Sequence, residues 1–217
     1  VKNDIVSTYK INPKKISVIH NGVRTKEFNY RKSFDKLSKE FSINKNQKIL
    51  LYVGSGFKRK GVKEFLNIIS KLKDLDIKVF VVGKEKNIEY YQQLSKELSI
   101  DKQVVFTGTR EDVDDFYTIS DIFLLPTHYE PFSNVVLEAM GFENAVFTTK
   151  QNGASEVLDS SFIMNNPSDF SIISAIEELF NNPSKLENIK KENRAKSEKF
   201  SIENNLSETL KVIDKFI

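Results

Sequence analysis

Between Ile49 and Met164, short apolar runs alternate with segments of helical periodicity, and this alternation restricts the chain more than any other feature. Ile49 to Val53, Ile77 to Val82, Val104 to Thr107, Ile122 to Leu125 and Ala145 to Thr149 have strand length, and Phe162 to Met164 is a last short run. Between them, Val62 to Leu72 sets Phe65, Leu66, Ile69 and Leu72 on one helical face. Ile88 to Leu98 and Asp112 to Ser120 read as helices, and Ser155 to Leu158 as a helical turn. Strands interleaved with helices imply right-handed crossovers and a parallel sheet covered on both faces.

The expected fold class is therefore α/β, a Rossmann-like parallel sheet spanning residues 31–166. Arg31 to Gln47 reads as a short helix or connector that leads into it. Residues 167–217 read as C-terminal helices. Pro167 to Phe180 carries Phe170, Ile173, Ile176, Leu179 and Phe180 on one face, and Ser184 with Glu187 has the spacing of a capping box. Ser201 suits the cap of a third helix with Leu206, Leu210, Ile213 and Ile217 on its apolar side. At the other end, Lys15 to Val23 alternates and contains Asn21-Gly22, the pattern of a strand closed by a tight turn. A strand so near the start, with no partner before it, suggests that something is missing upstream, and residues 1–30 are set apart from the sheet as a leading segment. His20 is expected to pack or cap.

Hydrophobic residues make up 39% of the 217, enough for a sizeable core despite 29% charge. Cysteine is absent, which removes disulfides, thiolate metal sites and a cysteine nucleophile, and two histidines are too few for a histidine-rich metal site. No apolar run approaches bilayer-spanning length. The net charge of +3 hides an asymmetry, because residues 1–73 hold eighteen Lys and Arg against five Asp and Glu, a net of +13 that leaves −10 for the rest. A basic front half suits an anionic partner, and the basic residues with meaning are those placed on a ligand-facing loop.

Two such loops stand out. Ile122 to Leu125 stops at Pro126, and the stretch after Thr127-His128-Tyr129-Glu130-Pro131 carries Phe132, Ser133, Asn134 and then Val135 to Met140 with Glu138 inside it. Strand, loop and helix start leave unpaired backbone N–H groups at the positive end of the helix dipole, where an anion can rest. With a helix beginning near Ser133, Glu138 lies about 7 Å along the axis and leans back toward the start. Glu130 and Glu138 then reach one ligand. The bland alternative is that Glu138 belongs to a solvated helix face.

Gly54-Ser55-Gly56-Phe57-Lys58-Arg59-Lys60-Gly61 is the second loop. It starts like a dinucleotide fingerprint, but Arg59 stands at the third glycine position. Its Gly56-x4-Gly61 spacing matches a phosphate-binding loop, but Val62 stands where Lys would follow. What remains is a glycine turn that presents Arg59 and Lys60 at a helix start, chemistry suited to a diphosphate. Two Asp-x-Asp triplets, Asp74-x-Asp76 and Asp112-x-Asp114, invite a metal reading. The first falls in a turn and the second opens a helix, where the dipole favours acids, so both are read as structural.

Glu130-x7-Glu138, with Phe132 two residues after the first Glu and Glu-Ala-Met at the second, resembles the donor-site motif of retaining glycosyltransferases of the GT-B fold, glycosyltransferase family 4, and is similar to the bacterial lipopolysaccharide-core members. The likeness runs from about Ile16 to Leu158, through Asn21-Gly22-Val23, Arg59-Lys60-Gly61 and Asn152-Gly153-Ala154-Ser155-Glu156. It implies the C-terminal half of a GT-B enzyme, with the acceptor held by a preceding domain. It implies further that Arg59 and Lys60 neutralise the departing diphosphate and that the amides of Phe132, Ser133 and Asn134 support it. Glu138 would bind the ribose hydroxyls, Glu130 the transferred sugar, and Gly54, Ser55 and Gly56 would lie against the donor. The loop from Asn152 to Glu156 would approach the sugar, with capping of the following helical turn the equal alternative for Glu156.

The donor would be a UDP- or GDP-linked sugar and the acceptor a glycan or glycolipid of a bacterial surface polysaccharide or lipopolysaccharide. No metal, no further cofactor and no nucleic acid are implied. The expected location is cytoplasmic, with peripheral association of the full-length protein at the inner face of the plasma membrane. Ser133 departs from the usual glycine, and Glu143-Asn144 from the common Leu-Pro. A nucleotide-sugar epimerase of the same architecture and a non-catalytic nucleotide-sugar binding module remain alternatives.

Overall fold

A computed structural model describes residues 2–215. The elements follow in the order α1 (Lys2–Tyr9), α2 (Tyr30–Phe41), β1 (Lys48–Val53), α3 (Phe57–Lys60), α4 (Val62–Lys71), β2 (Ile77–Val82), α5 (Ile88–Glu97), β3 (Val104–Gly108) and α6 (Val113–Ile119). Then come β4 (Ile122–Leu125), α7 (Asn134–Gly141), β5 (Ala145–Thr149), β6 (Ile163–Met164), α8 (Ile172–Asn181), α9 (Pro183–Ser197) and α10 (Ile202–Ile213). The six strands form one sheet in the order β3-β2-β1-β4-β5-β6, and every pair is parallel. Successive strand residues point to opposite faces, and Leu50, Leu51, Phe123 and Leu124 are all fully buried, so the sheet is covered on both sides.

The strand order reverses between β1 and β4. The chain winds outward through β2 and β3 and returns to lay β4 beside β1 on its other side. A crevice opens at such a reversal, outside the carboxyl ends of the two strands. Both loops singled out in the sequence leave from there. Gly61 lets them meet: its φ is +77°, and a Cβ on it would stand 1.8 Å from the Pro126 carbonyl oxygen.

Four expectations are corrected. Lys15 to Val23 is not a strand, since only Val23 makes a bridge, with Ser201, and its N–H donates to the Phe200 carbonyl. The sheet lies elsewhere, and the segment runs instead against the junction of α9 and α10. Gly22 serves that close approach rather than a turn, because a Cβ there would lie 2.3 Å from the Ser201 carbonyl oxygen. Second, α8 begins at Ile172, because Asp169 closes a turn by accepting from the amides of Asn165 and Ser171. Hydrogen bonding from the Ser171 side chain, and after it from the Asn165 amide, holds the Asp169 carboxyl down at about 2.

Third, the cap of α9 is Asn182, whose side chain accepts from Lys185 N, and not Ser184. Fourth, the N-terminal stretch carries a helix, α1, that the pattern did not announce. Ser201 does cap α10 by accepting from Asn204 N. The apolar side of α10 exists but faces outward, with Leu206 56% and Leu210 49% exposed. Ile217, expected on that helix face, lies outside the described residues.

Replacing Gly61 with Ala should destabilise the fold by at least about 1–3 kcal/mol, the cost of a strained backbone position alone, with the contact to Pro126 adding to it. Urea unfolding measures this, and an unchanged midpoint would show that the two loops do not rest on one another as described.

Candidate functional site

The β1 loop is shaped by what its backbone must pass. Gly54 N–H continues the ladder to the Val82 carbonyl at 2.9 Å, and a Cβ on Gly54 would stand 2.8 Å from Cδ of Lys60, so the lysine stem crosses directly over that glycine. Gly83 must also lack a side chain, since its Cβ would lie 2.0 Å from the Gly54 carbonyl oxygen. Ser55 Oγ accepts from Lys84 N at 3.2 Å, which engages it with the loop after β2. Gly56, at φ +75°, has no atom within 4 Å of where a Cβ would stand.

Glu85 braces the same loop, accepting from Phe57 N at 3.0 Å through one oxygen and from Lys86 and Asn87 N through the other. These amides, that of Asn87 most of all, lower its pKa from the usual carboxylate value. The amide that opens α3 is thus already occupied by a protein carboxylate. Any anion drawn to this loop meets the side chains of Arg59 and Lys60 instead.

Both reach the β4 loop. The Arg59 carbonyl accepts from His128 N at 3.0 Å and from Thr127 Oγ1 at 3.2 Å, and Arg59 Nη1 donates to the Tyr129 carbonyl at 2.7 Å and to Glu130 Oε2 at 2.9 Å. Lys60 Nζ stands 3.6 Å from that same oxygen. Lys60 and Glu130 are only 13% and 16% exposed, whereas Arg59 is 49% exposed. One carboxylate between two cations leaves a net positive charge facing the crevice. The Glu130 backbone is held from the other side, donating to the Gln151 carbonyl at 3.1 Å and accepting from Gly153 N at 2.8 Å. Gly153 is required there, because its Cβ would lie 1.9 Å from the Pro131 carbonyl oxygen.

Beyond Pro131 the chain turns into α7 at Ser133, an extended N-cap with φ −94° that makes no side-chain capping bond. Ser133 Oγ is buried without a hydrogen-bond partner. Among the described residues, the N–H groups of Phe132, Ser133 and Asn134 have no protein acceptor, so the start of α7 offers donors to a ligand. The side chain of Asn134 is engaged, with Oδ1 accepting from Asn21 Nδ2 at 3.0 Å. One turn further, half-buried Glu138 accepts at Oε2 from the Tyr117 hydroxyl at 3.1 Å. Arg59, Lys60 and Glu130 therefore meet between the two loops, with the open start of α7 beyond Pro131, Glu138 one turn along that helix, and Ser55 turned toward the β2 loop.

Sequence reasoning missed several neighbours. His20 Nε2 lies 2.6 Å from Glu156 Oε1, and its ring packs on Phe132 at 5.3 Å and Phe200 at 5.6 Å. That agrees with packing for His20 and gives Glu156 a partner across the chain, while the cap of its helical turn is Asn152. A cleft of about 1080 Å³ adjoins the site and is lined in part by Ile19, His20, Tyr129, Phe132 and Gln151. Glu85 and Tyr117 carry no motif, and only their loop and helix positions beside the strand ends hinted at a role. Three of the four Asp-x-Asp acids have partners of their own. Asp112 pairs with Arg110 and Lys36, Asp114 with Lys26, and Asp76 accepts from Gln47. Arg110 holds the Asp112 carboxyl well below the usual range.

Comparison with known proteins sets this geometry in context. Residues 33–196 match the family model described as glycosyl transferases group 1. The capsular polysaccharide biosynthesis glycosyltransferase CapM of Staphylococcus aureus is 30% identical over 93% of this chain and 56% of that protein. The chain thus spans about half the length of the curated relatives it matches. A Rickettsia africae glycosyltransferase structure superposes with a TM-score of 0.88 at 23% identity, covering 99% of this chain and 60% of that one. Anabaena HepE in complex with UDP gives 0.86 at 17% identity, covering 99% and 61%. At these identities the two structures bear on the fold alone.

Glu130→Gln should bind inorganic pyrophosphate more tightly than the parent, by about two- to five-fold, because it releases two cations from a half-exposed ion pair. Calorimetry at low salt reads this. Unchanged or weaker binding would mean that Arg59 and Lys60 do not face the anion site.

Proposed function

Because the chain belongs to the glycosyl transferases group 1 family, we propose that it forms the donor-binding half of a retaining glycosyltransferase that moves a hexose from a nucleoside diphosphate sugar to a glycan or glycolipid. The observation that carries this reading is the meeting of Arg59, Lys60 and Glu130 with the free amides of α7 at the β1/β4 reversal. A diphosphate resting there accepts from the amides of Phe132, Ser133 and Asn134 and draws Arg59, the more exposed cation, away from Glu130. As the bond from the sugar to the diphosphate breaks, negative charge grows on the leaving oxygen. Fixed donors and cations stabilise that charge without reorganising, which is the dominant contribution expected of such a site.

Glu138, one turn into α7, takes the ribose hydroxyls. Glu130 meets the sugar, and with its carboxylate held by Arg59 and Lys60 its role is orientation. Gly56, with open space where a Cβ would stand, lets the donor approach the β1 loop, while Gly54 leaves room for the Lys60 stem. UDP is the first nucleotide to test, in view of the HepE complex, with GDP second. The capsular polysaccharide role printed for CapM supports a surface polysaccharide as the product class, and the place proposed for its synthesis is the cytoplasmic face of the membrane, with the enzyme bound peripherally. Incubation with UDP- and GDP-sugars and glycolipid acceptors, with mass spectrometry of the products, tests the transfer. Epimerised donor in place of a new glycoside would overturn it.

Lys60→Ala should weaken UDP binding by about 1.5–3 kcal/mol, the range for hydrogen bonds to charged groups, and leave uridine binding nearly unchanged. Titration calorimetry with both ligands decides, and an equal loss for the two would remove the diphosphate from this loop.

A further inference from the structure

Tyr117 is fully buried at the inner face of α6, its ring stacked on Phe142 with centroids 5.6 Å apart and planes 14° from parallel. A phenylalanine would fill that space equally well. The hydroxyl is therefore the feature to explain, since a buried O–H must find an acceptor or carry a desolvation cost. Its acceptor is Glu138 Oε2, at 3.1 Å. Among the described residues, Glu138 Oε1 has no protein partner, so one oxygen of the carboxylate is held and the other is open. The backbone behind the tyrosine is fixed as well, because Asn144 Nδ2 donates to the Tyr117 carbonyl at 2.9 Å. Asn144 in turn accepts at its carbonyl from Asn193 Nδ2 of α9 at 2.8 Å. Burial pushes the Tyr117 pKa well up, with the neighbouring Glu138 charge adding to it, which keeps the hydroxyl a donor at every physiological pH.

We propose that Tyr117 is a positioning residue for ribose recognition, fixing the Glu138 carboxylate so that its open oxygen faces the two sugar hydroxyls of a ribonucleotide. This rests on the ribose role given to Glu138 above. A Glu side chain has three rotatable bonds, and a hydrogen bond from a rigid donor selects one of its arrangements before the ligand arrives. Oε2 keeps a second lone pair, so holding it does not remove it from the ligand.

The test measures UDP and 2′-deoxy-UDP affinities, and the GDP pair likewise, for the parent, Tyr117→Phe, Glu138→Gln and the double variant. Tyr117→Phe should reduce the preference for the ribonucleotide by about three- to ten-fold, within the usual range for one hydrogen bond, with pyrophosphate binding unchanged. In the Glu138→Gln background it should have no further effect. A general loss of packing would weaken ribo- and deoxyribonucleotide equally and leave the ratio untouched, and that result overturns the proposal. If Glu138→Gln abolishes the preference and Tyr117→Phe leaves it intact, the positioning role falls while the ribose role stands. If the parent has no preference, or Glu138→Gln keeps it, both fall together.

Discussion

The Arg59 carbonyl is where the two halves of the site are joined. It accepts from the His128 amide and the Thr127 hydroxyl, so the loop after β1 and the loop after β4 share one acceptor across the reversal of strand order. Parallel strands supply this opportunity at only one place in the sheet, since elsewhere successive strands lie side by side in the direction of winding. The absence of a Cβ at Gly61 lets the carbonyl of Pro126 come close enough for the contact to form. With the loops tied by backbone, the side chains of Arg59 and Lys60 arrive at Glu130 from a fixed distance. Little further entropy is lost in bringing them together.

Electrostatics then explain why the loops are built asymmetrically. Glu85 occupies the first amide of α3, while the first amides of α7 stay open. An anion thus finds backbone donors on one side of the crevice and mobile cations on the other. Were both helix starts open, a phosphate could settle at either. The carboxylate of Glu85 removes the wrong choice, and its repulsion steers an anion toward α7. Glu130 works in the opposite sense, holding the cations in place when no ligand is present. Its cost is modest because Arg59 is half exposed and the pair is screened by water.

Much of this was legible in the sequence, and the rest fails for identifiable reasons. The alternation from Ile49 to Met164 gave the sheet because β4 and β5 are fully buried and β1 and β2 nearly so, and periodicity reports burial. Glycine spacing and the Glu130 to Glu138 interval brought the two loops to notice because local backbone rules govern them. The stretch from Lys15 to Val23 misled for the same reason, since alternation there meets the α9 and α10 junction and not a sheet. Glu85, Asn21, Tyr117 and the His20 to Glu156 pair were silent. Each acts through a partner far away in the chain, such as the 136 positions that separate His20 from Glu156. No local pattern encodes such a pairing.

The departure at Glu143-Asn144 has a structural reason that the sequence alone concealed. Glu143 sits at φ +58°, a left-handed position in which proline at the next residue would lose an amide that is used here. Asn144 N donates to the Ala139 carbonyl at 3.0 Å and closes the end of α7. Its side chain donates to the carbonyls of Tyr117 and Phe142, fixing the turn to α6. Arg194 of α9 stands 3.7 Å from the Glu143 carboxylate and lies over the Phe28 ring at 5.0 Å, so the C-terminal helix clamps the same corner. The substitution therefore exchanges the stiffness of proline for a network that anchors the C-terminal end of the helix bearing Glu138. The position of that carboxylate in the crevice depends on α9 as much as on the sheet.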